Sequence, residues 1–398
     1  MTEPKLYCVA NARIPSKRAQ SLQVVQMAAA FQRAGAATTL LHARRHPTPA
    51  LPPGEDLFSY YAVGSGERPA VEALACVDWI DRVPTRLQYV PARVQELSFS
   101  RAAARRIGTE PALVYCREVE AARHLVRRGH PSVFLEIHRV PGGRLRRKWT
   151  LEAAARARGI VAISGGVRED LGALGVDLDS IVVEPDGFEV ERFQNLPTRE
   201  EARRELGLEP GARVAVYTGG LMEWKGVGVL LEAARLVPEV TFVIAGGTEA
   251  DVARLQARAA GVSNVRLDGF QPPQRVVQYL AAADIGVVPN RSKPTISARY
   301  TSPLKIFEAM AVGLPLVASN LASIREILQE KKSTLGILAA PDSASALANS
   351  VRSLMEDEAG RAEIRTRSLE RAKHYGWDAR AARILEWMAE RTKASASA

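Results

Sequence analysis

Short apolar runs alternate along the whole chain with helix-length segments, and most are bounded by glycine, proline or a polar turn. A strand that is apolar on both sides must be covered on both sides. Parallel strands in turn need a connection of a dozen residues or more, usually a helix. The rhythm therefore demands βαβ units, with helices on both faces of a parallel sheet. In the first half the strand-like runs are Leu6–Ala10, Thr38–Leu41, Leu113–Cys116, Val133–Ile137, Ile160–Ile163 and Ile181–Val183. A helix is predicted over about Gln20–Ala34, with Leu22, Val25 and Ala29 on one face and Gly35 closing it; others fit 118–128 and 145–158.

The rhythm restarts at Val214–Thr218, which ends in Gly219-Gly220, and at Thr241–Ala245, which ends in Gly246-Gly247. Runs at Val265–Leu267, Ile285–Val288, Leu314–Ala318 and Leu335–Leu338 follow. Two helices are expected over 360–392 and a frayed tail over 392–398. Pro185-Asp186-Gly187 is a turn-forming tripeptide and the natural boundary. The expected fold class is α/β, with two doubly wound domains facing a cleft. One domain comprises 1–186 plus a returning helix over 376–398, the other 187–375. Doubly wound sheets bind ligands at the carboxyl ends of their strands.

Composition narrows the function classes. At 398 residues the chain suits two domains, and 46% apolar with 25% charged residues is ordinary for a globular protein. Cys8, Cys76 and Cys116 lie far apart without CxxC spacing, which argues against a disulfide framework or a zinc site. The start Met1-Thr2-Glu3-Pro4-Lys5 runs into an apolar strand without a signal-like segment, and no apolar run approaches membrane-spanning length. A cytoplasmic location is expected, with peripheral attachment to the inner face of the membrane as a variant of it. The net charge of +10 is uneven: residues 1–186 carry 26 Lys/Arg against 19 Asp/Glu. Basic groups concentrate at Arg101, Arg105, Arg106, Arg127, Arg128, Arg139, Arg144, Arg146, Arg147 and Lys148. An anionic membrane surface or a phosphorylated acceptor fits this half, and so does a merely solvated arginine-rich face. Nucleic acid is disfavoured, because no Gly/aromatic RNA motif or zinc module is present.

The most informative stretch is Ser302-Pro303-Leu304-Lys305-Ile306-Phe307-Glu308-Ala309-Met310-Ala311-Val312-Gly313-Leu314-Pro315-Leu316-Val317-Ala318-Ser319. It reads as a loop opening a helix, a glycine break and a buried strand. The N-terminus of such a helix offers backbone N–H groups and a positive dipole end to a phosphate. Glu308, expected two turns into the helix, cannot serve phosphates but could accept hydrogen bonds from ribose hydroxyls.

At this point the chain resembles the retaining, nucleotide-sugar-dependent glycosyltransferases of the large family 4 group (group 1), in a Ser-Pro-Leu-Lys variant branch. The resemblance rests on a series of segments in order. These are Ala12–Gln20; Glu136-Ile137-His138; Ile160–Ser164; Val183–Phe193; Tyr217-Thr218-Gly219-Gly220-Leu221-Met222-Glu223-Trp224-Lys225-Gly226; and Ser302–Ser319. It implies the GT-B fold, two Rossmann-like domains facing a cleft, with a final helix near Trp377-Asp378 crossing back to the first.

The resemblance also implies roles. Lys225 would neutralise the donor diphosphate, with Gly219 and Gly220 beside it, and Glu308 would hold the ribose hydroxyls. Backbone groups at Ser302, Pro303, Leu304 and Lys305 would face the phosphates and sugar, although Pro303 has no N–H to give. His138 would sit beside the transferred sugar, while Asp186, Gly187 and Ser164 read as structural. No metal and no separate cofactor are expected, because Lys225 and helix N-termini would replace a cation. The partners would be a nucleotide-diphosphate sugar of UDP or GDP type and a saccharide, lipid-linked or small-molecule acceptor.

Two positions depart from the family pattern: Gly220, where a polar side chain is common, and Tyr300, where the first glutamate of E-x7-E would stand. Arg299 or Tyr300 would then meet an unusual or acidic donor sugar. Alternative readings are a nucleotide-sugar 2-epimerase on the same fold, with Glu136 and Glu118 as its candidate acid–base groups, and a binding-only protein with a decayed site.

Overall fold

The structure, a computed structural model, describes residues 3–330 and 333–394. It divides into two compact units: Met1–Ile163, Val167–Pro185 and Trp377–Ala398 form one, Ser164–Gly166 and Asp186–Gly376 the other.

The first unit is built on seven strands. They are β1 (Lys5–Ala10), β2 (Ala37–Ala43), β3 (Ala70–Leu74), β4 (Leu113–Cys116), β5 (Val133–Ile137), β6 (Gly159–Ala162) and β7 (Ile181–Val183). All pair in parallel, in the order β3-β2-β1-β4-β5-β6-β7. The order reverses between β1 and β4, so the chain leaves a crevice outside their carboxyl ends, where Asn11 and Arg117-Glu118 follow.

The central strands are buried on both sides, as their uninterrupted apolar runs require. The C-terminal helix Trp377–Ala394 packs on Ala19–Arg33 and buries Trp377, Ile384 and Met388 completely. Burying each such side chain contributes about 1.5–3 kcal/mol. Its Trp387 meets Phe134 edge-to-face at 5.7 Å, and Gly159 has no Cβ because one would lie 2.3 Å from that indole.

The second unit carries β8 (Val214–Thr218), β9 (Thr241–Ala245), β10 (Val265–Gly269), β11 (Ile285–Val288), β12 (Leu316–Ser319) and a last strand, Gly336–Ala339. The parallel order is β10-β9-β8-β11-β12, then Gly336–Ala339, with its switch between β8 and β11. Helices begin where caps permit. Thr198 and Glu201 exchange side-chain and backbone bonds in a capping box, and Gly207 closes that helix with a left-handed φ of 62°.

Several expectations need correction. The strand Ala70–Leu74 and the long helix Tyr89–Ile107, with Pro91 tolerated in its first turn, were not anticipated. The helix expected over 145–158 runs only Arg144–Ala154, because the Arg158 N–H already pairs with the Val133 carbonyl on the way into β6. The strand expected at Leu314 begins at Leu316: Pro315 has no N–H, and its carbonyl accepts from Gly286. The last strand is Gly336–Ala339 rather than Leu335–Leu338. The frayed tail is helical through Ala394, and 395–398, like Met1 and Thr2, lie outside the described residues.

The chain passes from the first unit to the second between Pro185 and Asp186, and back between Gly376 and Trp377. Asp186 belongs to the second unit because its N–H donates to Ser302 Oγ at 2.8 Å, and Gly376 because it bridges to Phe188. Ser164–Gly166 also belongs there, through Ser164 Oγ donating to the Arg299 carbonyl and Gly165 N–H to Glu326.

Candidate functional site

The crevice of the second unit opens where β8 ends in Gly219-Gly220 and β11 ends in Pro289-Asn290. Gly226, just beyond Lys225, is forced by geometry. Its φ is +76°, and a Cβ there would stand 1.7 Å from the Pro289 carbonyl oxygen, so only glycine lets the loop after β8 close on the loop after β11. Gly219 has φ +124°, and a Cβ there would press on the Lys305 ammonium at 3.1 Å.

Lys225 ends a single 3-10 turn, Glu223–Lys225, with its Nζ 4.0 Å from the Trp224 ring centre. Removal from water favours the neutral amine and brings its pKa down to about 8. Lys305 is the second residue of the helix Leu304–Ala311 and is buried. Its Nζ lies 3.4 Å from the centre of the Tyr217 ring and has no hydrogen-bond acceptor among the described residues. Desolvation, then repulsion from Lys225, holds Lys305 well below the usual lysine range, with Glu308 only partly opposing. Two lysines thus share one site whose nearby carboxylate, Glu308, is paired with Arg192, and neither lysine has an acidic partner among the described residues.

Glu308 lies four residues after Leu304, one turn into the helix rather than two. Its carboxylate pairs with Arg192, which stacks on Phe193 at 4.9 Å. One oxygen is therefore committed to a guanidinium, and the ribose role must be shared with that pair. Ser302 is equally committed: its Oγ accepts the Asp186 N–H, so its side chain is structural. Pro303 is the residue preceding the helix, with φ −74°. Tyr300 is buried in a π-turn, Ile296–Tyr300.

Sequence reasoning missed two residues. Arg192 was read only as part of a linking segment, yet it grips Glu308. It also borders a shallow depression of about 650 Å³ with Gln194, Gln274 and Gln278, which contains none of Lys225, Lys305 or Glu308. Asn290 is fully buried, and neither atom of its amide has a partner among the described residues. An unsatisfied buried amide costs about 1–3 kcal/mol per lost bond. Nothing in Val288-Pro289-Asn290-Arg291 signals this; it follows from the strand order, which sets β11 beside β8.

In the first unit, Glu136 and His138 straddle the carboxyl end of β5. Glu136 is buried, and its Oε1 accepts from Arg380 Nη2 at 2.9 Å and Gln23 Nε2 at 3.2 Å, with His138 Nε2 at 3.4 Å. Burial by itself would raise its pKa. The facing His138, Arg380 and Arg117 outweigh that and hold the carboxyl ionised, below the usual carboxylate range. Arg117 Nη2 approaches His138 Nδ1 at 3.3 Å. A guanidinium can only donate, so Nδ1 is the acceptor and Nε2 carries the hydrogen that faces Glu136. Nδ1 is thus engaged by Arg117, whereas Nε2, buried 3.4 Å from Glu136 Oε1, makes no hydrogen bond among the described residues.

Residues 212–357 match the family model described as glycosyl transferases group 1. The chain is 30% identical over 268 residues to a D-inositol 3-phosphate glycosyltransferase of Xylanimonas cellulosilytica, covering 64% of this chain and 61% of that protein. It is 33% identical over 193 residues to the amylovoran biosynthesis glycosyltransferase AmsK of Erwinia amylovora, covering 47% and 45%. The chain thus spans about half to three fifths of the length of these curated relatives. Among solved structures, Anabaena HepE, solved in complex with UDP, superposes with a TM-score of 0.73 at 17% identity, covering 97% of this chain and all of that one. The chain therefore has the GT-B fold, and within its second unit residues 212–357 are similar to the glycosyl transferases group 1 family.

Proposed function

We propose that the chain is a retaining glycosyltransferase that moves a sugar from a nucleotide-diphosphate donor to a saccharide, lipid-linked or small-molecule acceptor. The observation that carries this is the pair Lys225 and Lys305 at the β8 switch point. Both are desolvated, Lys305 has no acceptor for its ammonium, and both lie in the family-matching segment with Glu308 one turn along the Leu304–Ala311 helix. Two desolvated lysines without an acidic partner of their own are poised to take up the negative charge of a diphosphate leaving group. With the leaving group stabilised by protein cations, no divalent ion is required in this reading. HepE binds UDP, and AmsK acts in polysaccharide biosynthesis, which supports a UDP-type donor and a saccharide acceptor here.

In this mechanism Lys225 and Lys305 hold the diphosphate and gain protons as it binds. Glu308 accepts from the ribose hydroxyls with the oxygen that Arg192 leaves available. His138 contributes by position at the transferred sugar. The comparisons give an epimerase no support; of its two candidate carboxyls, Glu136 is held as an anion by His138 and Arg380, while burial pushes the pKa of Glu118 up.

A thermal-shift screen against nucleoside diphosphates and nucleotide sugars, with and without EDTA, tests the reading. Stabilisation by UDP or GDP that survives EDTA and vanishes in Glu308→Ala is expected. Indifference to every nucleotide would overturn the transferase and leave a binding-only protein.

A further inference from the structure

The largest exposed apolar side chains of the first unit are concentrated on one stretch of chain. Trp79, Leu87, Tyr89 and Val90 fall within twelve residues, and each is more than half exposed, Tyr89 at 73% and Val90 at 65%. Leu145, in the first turn of the helix Arg144–Ala154, is also more than half exposed. Charged side chains join the two stretches. Arg93 lies over the Tyr89 ring at 5.6 Å and pairs with Glu96, while Arg146 Nη2 donates to the other oxygen of Glu96 at 3.0 Å. The start of the helix Tyr89–Ile107 and the start of Arg144–Ala154 therefore border one surface.

The charge on that surface is one-sided. Arg82 and Arg86 interleave the first stretch, and Arg144, Arg147 and Lys148 surround Leu145; all five are exposed, and none has an acidic partner among the described residues. The acids nearby are already neutralised, Asp81 by Arg13 and Glu96 by two arginines. Some other cations of this half are paired, Arg106 with Glu72 and Arg123 and Arg127 with Glu152, while Arg101, Arg105, Arg128 and Arg139 are exposed and, like the five, have no acidic partner among the described residues. What sets this face apart from the remaining exposed arginines is the exposed aromatic and aliphatic groups that it carries beside its cations.

Tryptophan and tyrosine beside leucine and valine, ringed by arginine and lysine, match the headgroup region of a bilayer, where amphipathic rings and cationic side chains both find partners. We infer that this face of the first unit docks on the surface of an anionic phospholipid bilayer. A free polyanion would use the cations but leave the apolar groups in water, so the apolar share decides for the bilayer. The inference stands apart from the donor-site reading, since it involves none of Lys225, Lys305 or Glu308. No helix among the described residues is long and apolar enough to cross a membrane, so attachment here is to the surface.

Cosedimentation of the full chain with vesicles tests this, comparing neutral phosphatidylcholine with the same lipid containing about 30 mol % phosphatidylglycerol. Binding to the anionic vesicles alone is expected. The triple change Arg144→Gln, Arg147→Gln, Lys148→Gln should lower partitioning roughly 100-fold, about fivefold per cation. The triple change Leu87→Ser, Tyr89→Ser, Val90→Ser should lower it more than about tenfold. All six side chains are exposed, so melting temperatures should not move. Should one fall, Trp79 supplies an independent reading: brominated lipid should quench wild-type fluorescence more than that of Trp79→Phe. Absence of binding to anionic vesicles would overturn the inference. So would full retention by the apolar triple variant with loss only in the charge variant, together with equal binding of inorganic polyphosphate; that outcome would assign the face to a polyanion.

Discussion

The Lys305 ammonium stands 3.4 Å from the centre of the Tyr217 ring, enclosed and without a hydrogen-bond acceptor among the described residues. A ring face recovers part of what the lost hydration cost, and the rest persists until an anion arrives. Lys305→Met removes the cation while keeping the apolar stem. The ligand-free protein should gain about 1–3 kcal/mol. Calorimetry should show an unchanged or higher melting temperature together with loss of the shift caused by UDP or GDP. A destabilised variant that still responds to nucleotide would refute the assignment.

Lys225 makes nucleotide affinity depend on pH. Its folded pKa lies near 8, below the unfolded 10.5, so the unfolded chain binds the extra proton between those values. For this group stability therefore rises with pH across that window. Diphosphate binding needs the charged amine and has the opposite sign: affinity should fall as pH rises through about 8, by up to about tenfold per unit. Titration calorimetry from about pH 6 to about pH 10 should show that limb in the wild type and a shallower one in Lys225→Arg, in which only Lys305 still takes up a proton.

The Arg192–Glu308 pair predicts discrimination at the ribose. Glu308→Ala should weaken UDP or GDP by about 1.5–3 kcal/mol, the worth of hydrogen bonds to a charged group. The variant should no longer distinguish the nucleotide from its 2′-deoxy counterpart, whereas wild type should. Equal affinities of wild type for both would assign Glu308 a purely structural partnership with Arg192.

The buried pair Arg380–Glu136 ties the C-terminal helix to β5. Arg380→Met takes the closest cation from a buried carboxylate, leaving it Gln23 and His138, and should cost up to about 3–5 kcal/mol, much of it recovered when Glu136→Leu is added. Because the folded pKa of Glu136 is depressed, its stabilisation is present above the unfolded value of about 4.5 and is lost as pH falls below it. Urea titrations at pH 7 and pH 4 should show the cost of Arg380→Met shrinking at the lower pH.

Much of the fold was legible because most strands are nearly continuous apolar runs: Leu113–Cys116, Val214–Thr218, Thr241–Ala245 and Ile285–Val288 begin and end where the run does, as does Val133–Ile137 despite Glu136. Ala70–Leu74, with Glu72 inside it, and Tyr89–Ile107, rich in arginine, lacked a clean period, and packing against neighbours made the choice instead. The candidate site divides in the same way. Lys225 and Glu308 stand in segments whose glycines and helix start point to them, whereas the sequence left the Lys305 side chain open between a phosphate ligand and a solvated group, and its burial against Tyr217 is tertiary.

By itself the sequence determined the parallel α/β layering and the two restarts of it, because apolar periodicity and turn residues are local properties of the chain. Tertiary structure alone decided that Asn290 is sealed beside the β8 loop, that Arg192 occupies Glu308, and that Arg380 fixes Glu136. Each joins positions far apart along the chain, through a strand order that puts β11 beside β8 and a helix that returns to the first sheet. Contacts of that kind depend on which elements pack together, and no local pattern of residues encodes them.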